Sequence, residues 1–563
     1  MNRNLADLTD KQFDILVIGA GIHGAFVAWD AASRGLRVAL IDKGDFGNAT
    51  SQNSLKIIHG GLRYIQDGNI SVIRNMVQER SNWLKIAPHL IHPLPCLLPT
   101  NGSLTRNRFT ISLALQLNNI LSYDRNHYLN PEQSIPKGKW VSREECNQLI
   151  PGINTAEMTG AAMWHDGQIY NTERLLLSVI MSASCAGAVI ANYVEATGFI
   201  RKGATINGMK AKDVFSGQDL EIHTSLVVNC TGAWIDTVLD DIREEKNSPI
   251  FYPSVALNLV TRQIWDKFGI GLPSRPELIK SISSSDSISQ VLFFVPWRKS
   301  TIIGTWHLPL DKSSDDFELT EEIVQHFLDV VNSTDQKLQL SLDDVLHVQF
   351  GFLPMIPQRD GTQRVRLVRE GKVFDHHKTD GIPGLITVLG VKYTTARLMA
   401  EKAVDLALQK LGITSVPCQT NKLALEGGNI DSFTELLSLV MHEQGNQLSP
   451  HIIENLVHNY GSRYMDVLRY VETDITCAQQ ICKDSPVIEA AIIHAVREEM
   501  AQTLADVVLR RTELGSAGLP ERACLEKCAH IMGAELGWDE GRQKQEIETV
   551  LELSPKFLAG TVH

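Results

Sequence analysis

The chain has no Cys-x-x-Cys pair, no apolar run long enough to span a bilayer, and no basic stretch long enough to follow a phosphate backbone. The first absence argues against a disulfide-reducing redox site. The second argues against a transmembrane anchor: the nearest candidate, residues 175–191, is broken by Ser178, Ser182, Ser184, Cys185 and Gly187, and reads as a helix turning into a strand. The third, with a net charge of −12, argues against a nucleic-acid partner. The first ten residues are polar and acidic, so no secretory signal is expected there. Nine cysteines without an export signal point to a reducing, cytoplasmic setting and free thiols. Cys524 and Cys528, near His530, lack the further ligands zinc needs and are expected as buried thiols on a helix, with no metal. A peripheral membrane contact through an amphipathic surface stays open.

Against these absences stands the run Asp14-Ile-Leu-Val-Ile-Gly19-Ala-Gly21-Ile22-His-Gly24, followed by Val38-Ala-Leu-Ile-Asp42. An apolar strand enters a glycine-spaced turn, an alanine-rich helix follows, and a second strand ends on an acid. Gly19 permits the sharp turn, Gly21 lets the backbone approach a pyrophosphate, and Gly24 lets helix and strand pack closely. Asp42 lies eighteen residues beyond Gly24, near the spacing expected of an acid that accepts from a ribose hydroxyl. The helix N-terminus offers unpaired N–H groups to the phosphates. These features predict a dinucleotide site.

The predicted nucleotide-binding fold is discontinuous. Its pieces are residues 1–100, 171–250 and 371–415, with a cap or substrate region at 101–170 and a β-rich substrate domain at 251–370. The last shows strand alternation at Val291–Trp297, at 300–305 and at 347–352, and a serine-rich loop at 281–289. A core strand is expected near residue 385, then a helix to Leu411. Residues 421–563 show capped helical spacing at 432–444, 449–460, 464–472, 485–498, 503–511 and 520–536, and are read as an all-helical domain.

The glycine turn, Ala49-Thr50-Ser51 with Lys56-x-x-His59-Gly60-Gly61-Leu-Arg63-Tyr64, Phe294-Val-Pro-Trp297, Ile303-Gly-Thr305, Gly390-x-Lys392-x-Thr394-Thr, and Val496-Arg-Glu-Glu with Leu509-Arg-Arg-Thr512 resemble FAD-dependent glycerol-3-phosphate dehydrogenases, within the D-amino-acid-oxidase-like flavoproteins. The resemblance implies an α/β fold: a discontinuous Rossmann-type FAD-binding domain, an inserted antiparallel-sheet substrate domain and a C-terminal helical domain. It implies FAD as cofactor, a polyol-phosphate or other small alcohol as substrate, and a quinone or another electron acceptor. It also admits a homodimer and a contact with the inner face of a membrane. By the same resemblance Gly19, Gly21, Ile22, Gly24, Asp42, Lys43, Val194, Gly232, Tyr393 and Thr394 would hold the cofactor. Thr50, Ser51 and Lys56 would hold the flavin and its diphosphate, Gly60 and Gly61 would let the backbone pass close to the ring, and Gly390 would bring N–H dipoles to the ring's oxygen edge. Arg63, Tyr64 and Lys392 would face the substrate. His59 is read either as the base for the hydroxyl proton or as a structural histidine. Trp297 and Trp306 are read as wall or cofactor contact, His376-His377 as a surface turn, and Arg510-Arg511 as a solvated or domain-docking pair.

Departures from the family fall on the substrate side. Where the family carries a phosphate-gripping arginine, this chain has Gly351-Phe352-Leu353-Pro354, a loss worth about 2–5 kcal/mol at a desolvated site. Asn258 to Arg262 replaces a lysine–histidine run, and Thr305-Trp306-His307 replaces a threonine–aspartate pattern. Arg262 or Arg359 is expected to compensate. Weak turnover of glycerol 3-phosphate is one consequence. The competing readings are a pathway oxidoreductase for a different hydroxylated substrate, a flavin-holding scaffold without catalysis, and a nicotinamide dehydrogenase.

Overall fold

The computed structural model describes all residues except 67, 103–106, 154–157, 241, 243–249, 275–290, 311–316, 358–364, 415, 484, 556 and 559–563. The serine-rich segment 281–289 and Arg359 therefore lie outside the described residues.

Phe13–Ile18 is apolar at nearly every position because both of its faces are covered. It pairs in parallel with Val38–Ile41 on one side and Asp219–Asn229 on the other. Val189–Ala191 and Leu385–Leu389 extend the sheet in parallel at its two flanks, and Lys372–Asp375 closes one edge antiparallel. The strands of this sheet thus come from three separated stretches of sequence. One face carries the helices Ile22–Ser33, Thr172–Cys185 and Ala396–Leu411, which share a core built on Ala25, Ala28, Leu176 and Ala403. Ala396–Leu411 stops at Gly412, whose φ of +67° supplies the left-handed cap. The hairpin Val194–Lys202 and Thr205–Asp213 covers the other face.

A second, ten-stranded sheet takes Ile91–Thr100 and Gly160–Ile169 together with Tyr252–Arg262, Gly269–Pro273, Val291–Trp297, Ser300–Pro309 and Val345–Pro357. The 251–370 stretch is not purely β. Glu321–Thr334 forms a helix capped by Thr320, with Val324, Phe327, Leu328 and Val331 buried against the sheet. Its apolar residues follow helical spacing, which strand alternation in the flanking segments obscures.

The C-terminal part is helical, with its own core around Ile453, Val467, Ile492 and Leu525. Three differences from expectation stand out there. Asp506–Arg511 winds as a π-helix, and Glu540–Glu552 adds a further helix beyond residue 536. Cys524 is disulfide-bonded to Cys482, not a free thiol, while Cys528 is buried and free. Sequence spacing carries no sign of that pairing because the partners lie 42 residues apart. No group of three or more metal-ligating side chains occurs among the described residues. None of the described helices is long and apolar enough to cross a membrane.

His376 also departs from a surface-turn reading. It is buried, with Nδ1 2.6 Å from Asp380 Oδ2 and Nε2 2.8 Å from the Thr387 hydroxyl. His377 is the exposed member of the pair. Trp297 donates to the Tyr170 carbonyl and Trp306 stacks on Phe327, so both are buried core.

Candidate active site

The cavity that the two sheets enclose measures about 620 Å³, within the usual range for a ligand pocket. Its floor is the glycine turn. Gly19 sits at φ +93°, and a Cβ there would lie 2.8 Å from the Cys230 carbonyl oxygen. Gly24 does not line the cavity; it lets the helix close on the turn, since a Cβ would lie 1.9 Å from the Gly19 oxygen. The Ile22 N–H donates to Ser51 Oγ at 3.0 Å, tying the helix N-terminus to the serine expected beside the diphosphate. Asp42 accepts from the Ala20 N–H at 2.6 Å and the Gly44 N–H at 2.9 Å. Burial pushes its carboxyl up to about 6 despite those donors.

Thr50 is locked to the Phe352 backbone: its hydroxyl accepts from the Phe352 N–H at 2.9 Å. Leu353 lines the cavity next to it, so the apolar residue stands at the wall. Lys43, Gly232, Gly390, Tyr393 and Thr394 also line it, with the Lys43 ammonium 4.4 Å from the Trp234 ring centroid. A Cβ at Gly390 would meet the His23 ring at 2.2 Å, so that glycine makes room for His23.

His59 faces the cavity with its ring nitrogen Nδ1 3.5 Å from Asp166 Oδ2. Asp166 also accepts from the Gly60 N–H at 2.7 Å, Arg80 at 3.0 Å and Trp164 Nε1 at 3.1 Å. Burial alone would raise this carboxyl. The His59 ring, the Arg80 guanidinium and the Gly60 N–H more than offset it and hold the acid at about 2. The His59 N–H donates to Thr394 Oγ1 at 3.1 Å, which joins this segment to the Lys392 turn. Lys392 lines the same cavity, its ammonium 4.4 Å from the Tyr64 ring centroid and bonded to the Arg369 carbonyl. Burial, and secondarily the cations Arg369 and Arg63, push it down to about 8 against the pull of Glu370. Tyr64 lies under the Lys392 ammonium, and neither it nor the exposed Arg63 lines the cavity.

Several expected contacts are not made. Lys56 turns away from the cavity: its ammonium is buried, 2.5 Å from Thr172 Oγ1 and 3.1 Å from Glu173, over the Trp297 ring. A lysine beside a cofactor motif looks like a phosphate ligand in sequence, but Glu173 is 117 residues distant and unseen. Gly60 and Gly61 do not line the cavity; a Cβ at Gly60 would strike Arg80 at 2.1 Å, so that glycine serves Arg80. Val194 is buried and its N–H donates to the Asp42 carbonyl, leaving Glu195 and Ala196 as the wall. Arg262 cannot compensate for Leu353. It sits at the far end of Tyr252–Arg262, about 13 Å along the strand from Asn258, paired with Asp344 at 2.6 Å. Asn258 and Thr305, expected on the substrate side, do line the cavity and are joined by a 2.9 Å hydrogen bond, while His23 and Asn48 are lining residues to which the sequence reading gives no role. A cavity-facing asparagine or histidine carries no local signal in the sequence.

The residues fit FAD. His23 Nε2 is buried with no hydrogen-bond partner among the described residues, and burial lowers the ring's pKa to about 4, so a polar group in the cavity would satisfy it. The glycine cradle, the acid at the second strand and the open space beside Lys392 accommodate dinucleotide and ring. When bound, FAD supplies a two-electron acceptor.

The family described as FAD dependent oxidoreductase matches residues 14–406, and the C-terminal domain of alpha-glycerophosphate oxidase matches residues 418–543. A glycerol-3-phosphate dehydrogenase of Synechocystis is 31% identical over 91% of this chain and 90% of its own length. The mitochondrial glycerol-3-phosphate dehydrogenase of Mus musculus is 30% identical over 96% of this chain and 72% of its own. The structure of the Bacillus halodurans glycerol-3-phosphate dehydrogenase complexed with FAD shares the fold, with a TM-score of 0.74 over 97% of this chain and 95% of that one at 22% identity. The strands gathered around one cavity, its dinucleotide cradle and these matches agree, and the chain belongs to the FAD-dependent glycerol-3-phosphate dehydrogenase family.

Proposed function

We propose that the protein oxidises glycerol 3-phosphate to dihydroxyacetone phosphate, with FAD bound and electrons passed on to a quinone or another acceptor. The observation that carries the reading is one cavity lined by the FAD cradle and also by His59 and Lys392, with Asp166 behind the His59 ring. His59 takes the hydroxyl proton, and Asp166, held ionised, orients the imidazole and stabilises its charged form. Lys392, its ammonium over the Tyr64 ring, supplies positive charge for the substrate phosphate or the developing alkoxide. Leu353 alone would support a different hydroxylated substrate, but relatives matching nine-tenths of the chain carry the glycerol-3-phosphate dehydrogenase name and favour glycerol 3-phosphate. Steady-state turnover of purified holoenzyme with glycerol 3-phosphate and a soluble dye acceptor tests the reading. Turnover with that compound, and none with glycerol, supports it; the reverse overturns it.

The charge on Lys392 sets a pH limit. An ammonium with its pKa lowered to about 8 is protonated below that value and neutral above it. The ratio kcat/KM should therefore fall about tenfold per unit of pH above about 8, and Lys392→Arg should remove that limb because arginine stays charged. A pH–rate profile of both proteins checks this.

A membrane contact belongs to the same reading. The helix Arg108–Leu121 buries Leu115 and packs Ile111 inward, yet exposes a second apolar stripe of Phe109, Leu113, Leu117 and Ile120, with Tyr123 beyond it. A surface helix needs only one apolar face. Arg108, Lys137 and Lys139 are exposed in the same region of a chain of net charge −12, which suits an anionic bilayer surface. The helix packs on the turn bearing Arg63 and Tyr64, so a membrane-dissolved acceptor would meet the substrate end. Sedimentation with anionic vesicles should recover the protein, and Phe109→Ser with Ile120→Ser should release it. No vesicle binding, or a dimer that covers the stripe and is lost in the same variant, contradicts the membrane reading.

A further inference from the structure

The helical domain reaches the cofactor cavity from behind. The segment from Asp42 to Asn48 lines the cavity with Asp42, Lys43, Gly44, Gly47 and Asn48, but Asp45 points the other way and is fully buried. It accepts from Arg510 Nε at 2.6 Å, from Arg511 at 2.7 and 2.8 Å, and from Asn192 at 3.0 Å. Arg510 then divides its guanidinium. One terminal nitrogen donates to Asn48 Oδ1 at 3.0 Å and the other to Asp506 at 2.7 Å. Two buried guanidinium groups thus balance two buried carboxylates, which makes the cluster tolerable away from water. Consecutive residues on an α-helix do not face one another. Here both arginines lie on the π-helical turn Asp506–Arg511 and both reach Asp45.

We propose that Arg510 is a positioning residue for FAD, holding Asn48 and the loop after Asp42 in the cofactor-binding arrangement from the helical domain. Docking alone would be served by the Asp45 contacts. The additional bond to Asn48 fixes the amide of a residue in the cavity wall, pinning its oxygen so that its NH₂ group is free to face elsewhere. The inference rests on the FAD cavity described above and adds a contribution from outside it.

The test is the rate at which holoenzyme releases FAD into a chase, followed by the rise of free-flavin fluorescence. Arg510→Lys keeps the charge but cannot serve all three partners, and should speed release by about ten- to a hundredfold, as expected for loss of a charge-assisted hydrogen bond. Asn48→Ala should speed it similarly, and the double variant should be little faster than either single one, because both changes break the same link. Arg497→Ala, which breaks the exposed pair with Glu535 elsewhere on the helical domain, should leave release unchanged. Unchanged release in Arg510→Lys, or single effects that multiply in the double variant, would overturn the proposal. If Arg510→Lys gives no folded holoenzyme, Asn48→Ala decides, since it leaves all four charges in place: faster release supports the proposal and unchanged release refutes it.

Discussion

Replacing His59 with asparagine is expected to lower kcat/KM for glycerol 3-phosphate by about 10²–10⁴ while the protein keeps its FAD. The imidazole is the titratable ring in the cavity with an ionised carboxylate behind it, at 3.5 Å from Asp166. Such separations tighten when substrate binds, so the distance does not weigh against proton transfer. Asparagine can still meet Asp166 through its amide, and the bond from the backbone N–H of residue 59 to Thr394 does not depend on the side chain. The local fold should therefore survive, and a loss of rate reports the missing base. Steady-state kinetics beside the visible spectrum of the purified variant separate the two. A fall of only a few-fold would move the proton to another acceptor.

Gly24→Ala is expected to disrupt the cofactor cradle severely. The added Cβ would lie 1.9 Å from the Gly19 carbonyl oxygen and 3.2 Å from the Cys230 side chain. The first obstacle is backbone, so helix and turn must part. Overpacking of this kind costs about 3 kcal/mol, which is about two decades in FAD affinity if the cost falls on the bound form. Gly390→Ala makes an instructive contrast, because the atoms nearest its Cβ belong to the His23 ring, a side chain, and not to backbone. Gly24→Ala should purify nearly colourless with a lowered melting temperature, and Gly390→Ala should stay yellow. Flavin absorbance per protein and thermal melting check both.

How much of this is legible in the sequence follows from how local each constraint is. The glycine turn and the strand Leu385–Leu389 show in the local order of residue types, and Asp42 in its spacing from the turn, so pattern alone finds them. Lys392 is legible for a related reason: a lysine beside a glycine at a strand tip has little structural excuse for being buried. Lys56, Arg262 and Val194 are misplaced because their partners, Glu173, Asp344 and the Asp42 carbonyl, lie far off in sequence or act through backbone. Gly60 shows the same limit, since its smallness answers to Arg80 and not to the ring. The role of Asp166 is invisible without the fold: a lone carboxylate gives no hint that His59, Arg80 and Trp164 converge on it. Arg510 and Arg511 read equally well as solvated or docking until Asp45 is found opposite them.

The central claim is that one cavity holds FAD and brings glycerol 3-phosphate to it. Anaerobic titration of the yellow holoenzyme with glycerol 3-phosphate tests it most directly. The account predicts loss of the visible flavin band, with one dihydroxyacetone phosphate formed per FAD bleached. A holoenzyme whose band is unmoved by glycerol 3-phosphate but bleached by another alcohol would contradict it.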